Sequence, residues 1–356
     1  MEKGVVNKRI DALDYIRGFA LLGIILVNIL ALLHIKIPEP NTIDASYQRF
    51  LYLFVEGRFY SIFSFLFGVG FYIFITRAIA NGNNGYILFL RRLVVLFVFG
   101  LMHFIFQPGE ALTVYTVCGL LTLPFFKVNK HINLALSLIL LVVFGIAGAK
   151  LPLTLPLILL GLAAGQYQVF ENLSQKTKQI AIFTAIMLGL SLMGLYVQYQ
   201  SVPSSPFQNM IIMNEDGTLD QAGKFLEMGI GVGPIVSAFY IGLLLLLLQT
   251  RAVQLLLSPL KYYGRMALTN YIGQTAFIFL AGNLIQTTAS LSYIQTLYIC
   301  IAIVVFQMIF STVWLRLFRM GPLELIWRIF TYWKNVPLKK ISKQEEQENR
   351  KTQEAL

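Results

Sequence analysis

The sequence is poor in charge and in the side chains that bind metals or form disulfides. Asp, Glu, Lys and Arg make up only 13% of the 356 residues, about half the share typical of soluble domains. The two cysteines, Cys118 and Cys300, lie in separate apolar runs, and the three histidines do not cluster with them. These absences argue against a disulfide framework, a CxxC redox motif and a zinc site, and we expect neither a metal nor a tightly bound cofactor.

Apolar residues dominate instead. They account for 57% of the chain, and the mean hydropathy is +0.69, more apolar surface than a soluble fold of this length could bury. A transmembrane helix needs about 20 predominantly apolar residues. The sequence therefore predicts an all-α membrane protein, a bundle of about ten transmembrane helices in a single polytopic domain over 1–333. The predicted spans are 13–33, 59–76, 93–107, 111–126, 132–149, 151–169, 179–198, 228–249, 266–286 and 293–317.

The basic residues predict the orientation of the chain. With a cytoplasmic N-terminus, 23 of the 28 Lys and Arg residues fall on or near the cytoplasmic side, as the positive-inside rule requires. Both termini are then cytoplasmic, and 334–356 is expected to be a disordered, charged cytoplasmic tail. The net charge of +11 is assigned to topology and to anionic lipid headgroups, and no nucleic-acid partner is expected.

A short helix is predicted after the last span. Pro322 and Glu324 are typical of a helix N-terminus. Leu323, Ile326, Trp327 and Phe330 follow at helical spacing. We therefore predict an amphipathic helix over 322–333 that lies in the inner membrane interface.

Charged residues at the ends of spans are candidates for binding an anion. Asp14 and Arg17 are three residues apart on one face of the first helix. They are either an ion-paired helix start or a site for a phosphate or carboxylate that enters from the cytoplasm. Arg58 opens the second span from outside, where it could pair with Glu56, snorkel or hold an anion.

His103 and Glu110 are candidates for acid–base chemistry. They are seven residues apart, nearly two helical turns, but Pro108 and Gly109 lie between them. A His among apolar residues is most often a packing residue. If the two side chains meet, His103 could act as a base, with Glu110 as its orienter or as an alternative base.

Further polar residues recur within the spans. Asn28 lies in the middle of the first span and could simply make an interhelical hydrogen bond. Arg265 is a further candidate for binding an anion. Thr269, Asn270 and Gln274 follow it in the same segment, and together with Asn28 and Glu324 they either form a polar seam between helices or line a pathway.

Four segments together resemble the YeiB-type family of bacterial membrane proteins. The resemblance extends from the first helix to the end of the last, and its polar residues are unexpected in a random apolar chain. The segments are 14–23 (DYIRGFALLG) with Asn28, 63–70 (FSFLFGVG), 264–271 (GRMALTNY), and 321–324 (GPLE) with Trp327 and Arg328.

That family is similar in its first two helices to the heparan-glucosaminide N-acetyltransferase group and to the wider transmembrane acyltransferase superfamily. The resemblance implies a bacterial plasma-membrane protein with a tunnel across the bundle, acyl-CoA as substrate, and a small-molecule or glycan acceptor outside. The sequence departs from the superfamily at one important position. Asn28 stands where many members have a catalytic His, eleven residues after Arg17, and Asn cannot be a general base.

Three functions stay open at this point. The favoured one is an acyltransferase-like protein that moves an acyl group from cytosolic acyl-CoA to a cell-envelope or extracellular acceptor. The others are a permease or exporter of a small solute, and a non-catalytic partner of an envelope enzyme. The sequence leaves open whether the protein forms a homo-oligomer.

Overall fold

The computed structural model describes residues 10–209, 211, 218–285, 291–334 and 337–338. Within these ranges the chain is α-helical. The helices are α1 (Asp11–Leu32), α2 (Ile43–Phe54), α3 (Arg58–Ala80), α4 (Gly85–Phe104), α5 (Leu112–Thr122), α6 (Lys130–Ile146), α7 (Thr154–Gln166), α8 (Thr177–Gln200), α9 (Gln221–Leu247), α10 (Arg251–Leu256), α11 (Ser258–Arg265), α12 (Ala267–Ile285), α13 (Tyr293–Leu317) and α14 (Pro322–Tyr332).

The prediction of an all-α membrane protein is confirmed. Six stretches are long and apolar enough to cross a membrane, with α2 and α3 counted as one of them. Shorter apolar helices form over Leu112–Lys127, Lys130–Ile146 and Thr154–Gln166. Each of the ten predicted spans overlaps one helix, while the number of crossings and the orientation stay predictions.

The structure adds detail at three places for which the sequence made local predictions. The segment 34–58, expected as an external connection, contains the helix α2. The helix that carries His103 ends at Phe104, so Glu110 lies in the connection to α5 and not on the same helix. A helix forms over Pro322–Tyr332 as predicted, whereas most of the predicted tail lies outside the described residues.

Glycine contacts bring pairs of helices into close approach. A Cβ at Gly68 would lie 1.9 Å from the Ile158 carbonyl oxygen, and a Cβ at Gly161 would lie 2.0 Å from that of Phe65. Backbones can approach this closely only where there is no side chain between them. The 63–70 segment therefore serves to join α3 to α7.

Close backbone contacts at glycine also join α1 to α11. A Cβ at Gly264 would lie 1.9 Å from the Asp14 carbonyl oxygen, and a Cβ at Gly18 would lie 2.2 Å from that of Leu260. Arg17 and Arg265 each adjoin one of these glycines in the sequence. The contact therefore holds the backbones of both arginines at the same end of the bundle.

Candidate functional site

One cavity of about 950 Å³ extends along the bundle. It is lined along α1 by Arg17, Gly23 and Asn28, and also by Ile10, the residue just before this helix. At a rise of about 1.5 Å per residue, the 18 steps from Ile10 to Asn28 span roughly 27 Å. The cavity therefore covers much of the thickness of a bilayer core, which is about 30 Å.

One end of the cavity, called the arginine end here, is strongly basic. Its carboxylates are Asp14 and Glu324, and an ion pair of 3.0 Å joins Asp14 to Arg17. Positive charge exceeds negative charge because six arginines line this end: Arg17, Arg77, Arg92, Arg265, Arg319 and Arg328.

Arg92 is held between aromatic rings at this end. Its guanidinium carbon lies 3.7 Å from the ring centre of Trp327 and 4.8 Å from that of Phe74. The indole N–H of Trp327 donates to the backbone carbonyl of Arg92 over 2.9 Å. These contacts dock α14 onto α4 and fix the plane of a cation that faces the cavity.

Glu324 caps the start of α12. Its carboxylate accepts hydrogen bonds from the backbone N–H groups of Leu268 (2.8 Å) and Thr269 (3.1 Å), and from the Thr269 hydroxyl (2.6 Å). Burial raises the pKa of Glu324, and the hydrogen bonds from Thr269 and Leu268 oppose that shift. A Cβ at Gly321 would meet the same carboxylate, so the 321–324 and 264–271 segments fit each other at this point.

Asn28 lines the cavity farther along α1. Seven amide side chains are buried in the described part of the bundle, and each of them makes a hydrogen bond to the protein: Gln48, Gln107, Asn133, Gln198, Asn270, Gln274 and Gln307. The amide of Asn28 has no such bond to a described residue. It is therefore available to a group inside the cavity.

The other end, called the distal mouth here, is lined by Glu56, Gly57, Gly109, Lys150 and Leu151. The ammonium of Lys150 forms an ion pair with the carboxylate of Glu56. This pair joins the connection between α2 and α3 to the connection between α6 and α7.

Glu110 lines the cavity near the distal mouth and caps α5. Its carboxylate accepts hydrogen bonds from the backbone N–H groups of Leu112 (2.6 Å) and Thr113 (2.7 Å), and from the Thr113 hydroxyl. Burial acts to raise the pKa of Glu110. The nearby His103 ring and the bonds from Thr113 and Leu112 outweigh it, and the pKa is lowered overall.

His103 lies behind Glu110 and is not among the residues that line the cavity. Its Nε2 is 2.9 Å from the hydroxyl of Thr275, which donates to Gln107 over 3.0 Å. Nε2 is therefore the donor to Thr275 in this arrangement, and Nδ1 faces the Glu110 carboxylate at 3.8 Å. The structure thus brings His103 and Glu110 together, with Glu110 nearer to the cavity.

The remaining predicted residues do not line the cavity. Arg58 is buried and donates to the carbonyls of Glu56 (2.7 Å) and Gly229 (3.2 Å) and to Gln198 (2.6 Å). It joins α3 to α8 and α9, which is a structural role.

Asn270 and Gln274 form the polar seam that the sequence offered as one alternative. Asn270 donates to the Tyr263 carbonyl (2.8 Å) and to Ser311 (2.9 Å), and Gln274 donates to the Tyr263 hydroxyl (2.6 Å). Thr269 belongs to the Glu324 cap described above. Among the described residues, no three His, Cys, Asp or Glu side chains come together as metal ligands would.

The comparisons with known proteins decide the family. The chain is 57% identical to the "Uncharacterized 39.9 kDa protein in amylase 3'region" of Bacillus acidopullulyticus over 95% of this chain and 98% of that protein. Residues 164–334 match the family model described as "Protein of unknown function (DUF418)". The chain belongs to the DUF418 family.

Two further relatives support the predicted resemblance. YxaH of Bacillus subtilis is 26% identical over 96% of this chain and 99% of its own length. YeiB of Escherichia coli is 25% identical over 90% of this chain and 95% of its own length. The prediction of a YeiB-type protein is therefore confirmed, while the likeness to acyltransferases stays a prediction.

Sequence reasoning missed four of the six arginines at the arginine end: Arg77, Arg92, Arg319 and Arg328. Arg77 lies in the last turn of α3, Arg92 lies two turns into α4, Arg319 precedes α14, and Arg328 lies within α14. A basic residue near the end of a span is an ordinary topology signal. Arg92 and Trp327 are 235 residues apart in the sequence, so no local pattern could have indicated that they stack.

Proposed function

We propose that this protein is a membrane acyltransferase that takes an acyl group from cytosolic acyl-CoA and transfers it to an acceptor at the distal mouth. The observation that carries the proposal is that one cavity is lined by six arginines at one end and by the carboxylate of Glu110 near the other. An enzyme of this kind needs an anion site for CoA on the cytoplasmic side, a passage for the acyl group, and a proton acceptor near the acceptor molecule.

The arginine end suits the phosphate groups of CoA. A guanidinium can bind a phosphate with two parallel hydrogen bonds, and it keeps its charge at any physiological pH. In the predicted orientation this end faces the cytoplasm, where acyl-CoA is found. Six arginines against two carboxylates leave a positive excess for a ligand with several phosphate charges.

Asn28 suits the reacting thioester. It lies eleven residues beyond Arg17 on α1, about 16 Å along a helix, a distance that an extended pantetheine arm can cover. We propose that the side-chain N–H of Asn28 donates to the thioester carbonyl oxygen and stabilises the negative charge that develops there. Amide donors contribute to acyl transfer in this way in other enzymes.

The bond changes require a proton acceptor. The acceptor's hydroxyl or amine attacks the thioester carbonyl carbon, a C–O or C–N bond forms, and the C–S bond breaks. Glu110 takes the proton of the attacking group and passes it to Nδ1 of His103, 3.8 Å away. CoA leaves as the thiolate, and His103 returns its proton to solvent or product.

A permease for a small organic anion is the second candidate. The same cavity favours it, since residues at both ends of the bundle line it. The two functions differ in whether a thioester is cleaved.

Acetyl-CoA binding to the purified protein in lipid nanodiscs, measured by calorimetry, tests the donor site. Arg17→Lys and Arg265→Lys each keep the charge but lose the two-pronged hydrogen bonding, and we expect binding about tenfold weaker or more. Arg49→Lys is the matched control, because Arg49 lies outside the cavity and donates to Ser204. Unchanged binding in Arg17→Lys and Arg265→Lys would overturn the assignment of the donor site.

The catalytic step is tested by release of free CoA thiol from acetyl-CoA in the presence of envelope extract. A positioned base is worth about 10²–10⁴ in rate, so Glu110→Gln and His103→Gln should each lose at least about a hundredfold. Full activity in both variants would exclude the proposed proton path. Movement of an organic anion across proteoliposomes, with no thioester cleaved, would favour the permease.

A further inference from the structure

The distal mouth is surrounded by exposed apolar side chains. Phe54 immediately precedes the mouth-lining segment 55–57, and Leu151 is 63% exposed beside Lys150. Ile105 and Phe106 are 77% and 60% exposed in the connection that leads to Gly109. Large apolar groups in such an arrangement are unfavourable in water and mark a contact surface.

The helix α2 adds an apolar stripe to this surface. Ile43, Phe50 and Phe54 are exposed, and their separations of seven and four residues place them on one face. The opposite face packs on the bundle, where Leu51 is buried and Gln48 donates to the Phe207 carbonyl over 2.8 Å. The helix is thus fixed on one side and presents aromatic rings on the other.

The surface is continuous with the part of the bundle that faces lipid. Exposed apolar residues follow one another along α4, at Val94, Val98 and Leu101, and continue to Ile105 and Phe106 at its end. Since α4 is one of the helices that can cross a membrane, lipid is the partner that covers this side. In the described stretch 94–106, His103 is the one polar side chain, and it is buried.

We infer that α2 lies in the membrane interface and that the distal mouth opens there, within the headgroup layer. Bilayer lipid is the partner of the stripe formed by Ile43, Phe50 and Phe54. Lys150 and Glu56 then lie at the level where a Lys side chain extends toward water and lipid phosphates.

The position of the mouth also indicates the class of acceptor. A molecule that reaches this opening from the interface is an amphiphile with its reactive polar group near the headgroups and an apolar tail in the bilayer. This identification of the acceptor rests on the proposed function, whereas the position of the mouth does not.

Spin labels test the position of the mouth without any activity assay. Single cysteines replace Phe50, Phe54 and Leu151 in a Cys118→Ser, Cys300→Ser background, in vesicles of phosphatidylethanolamine and phosphatidylglycerol. We expect all three labels to collide more often with oxygen than with a water-soluble nickel complex. A label at Ser204, on an exposed connection, is the control and should show the reverse. Preferential access of nickel at the three test positions would overturn the inference.

The route into the cavity is tested with Asn28→Cys in the same background. An alkyl methanethiosulfonate and a charged, impermeant one are added to the distal side, and a cysteine at Ser204 corrects for their intrinsic reactivities. We expect the alkyl reagent to modify position 28 at least about tenfold faster, because the bilayer concentrates it at the mouth. A faster reaction with the charged reagent would mean entry from water and would exclude an amphiphilic acceptor, while leaving acyl transfer itself untouched.

Discussion

Gly161→Ala is predicted to destabilise the protein because it forces α3 and α7 apart. The added Cβ would lie 2.0 Å from the Phe65 carbonyl oxygen and 2.9 Å from the backbone nitrogen of Val69. Both atoms belong to the α3 backbone, so no side-chain rotation can relieve the overlap. Overpacking costs about 1–3 kcal/mol, and the better helix propensity of Ala returns about 0.5–1 kcal/mol. We expect a net loss of about 1–2 kcal/mol.

Gly189→Ala is the matched control with the opposite expected sign. Gly189 lies within α8, and a Cβ there would meet no atom within 4 Å. The substitution should therefore stabilise the protein by about 0.5–1 kcal/mol through helix propensity alone. Heating in the presence of a thiol-reactive dye reports unfolding, because Cys118 and Cys300 are both buried and free. Shifts of the same sign in both variants would refute the argument from helix contact.

Three further predictions concern the site and the topology. Arg92→Lys removes the planar stack on Trp327, worth about 0.5–2 kcal/mol, and should weaken acetyl-CoA binding several-fold, whereas Arg91→Lys, outside the cavity, should not. The pKa of Glu324 is raised in the folded protein. The stability that its protonated form contributes at low pH should therefore be lost as the pH rises above 4.5 and through that raised pKa. Glu324→Gln should flatten this part of the curve of thermal midpoint against pH, and an unchanged curve would contradict the raised pKa of Glu324. In intact cells an impermeant thiol reagent should label a cysteine at Ser204 but not one at Asn83, and the reverse pattern would contradict the predicted orientation.

The apolar pattern of the sequence was sufficient to locate the long helices. All ten predicted spans overlap a helix, because a continuous run of apolar residues in lipid has few alternatives to helix. The helix α2 escaped prediction since it has only 12 residues and its inner face carries Gln48. A short helix with one polar face resembles a connection when it is judged by hydropathy alone.

The site was only partly predictable because its members converge from distant parts of the chain. Arg17, Arg265 and Glu324 stood out as polar residues in distinctive segments, and all three line the cavity. Arg58 stood out for the same reason. Its partners Gln198 and Gly229 are 140 and 171 residues away in the sequence, and they give it a structural role that no local pattern could indicate.

Glu110 and Glu324 show why a polar residue in such a chain does not by itself indicate chemistry. The helices α5 and α12 both begin inside the bundle, where the first backbone N–H groups of a helix need acceptors. Each glutamate supplies them, and each also lines the cavity. Replacement by Gln keeps one acceptor oxygen for the cap but removes the negative charge and most of the ability to accept a proton. A loss of acyl transfer in Glu110→Gln at unchanged thermal stability would therefore separate catalysis from capping, and a parallel loss of both would assign Glu110 to the fold alone.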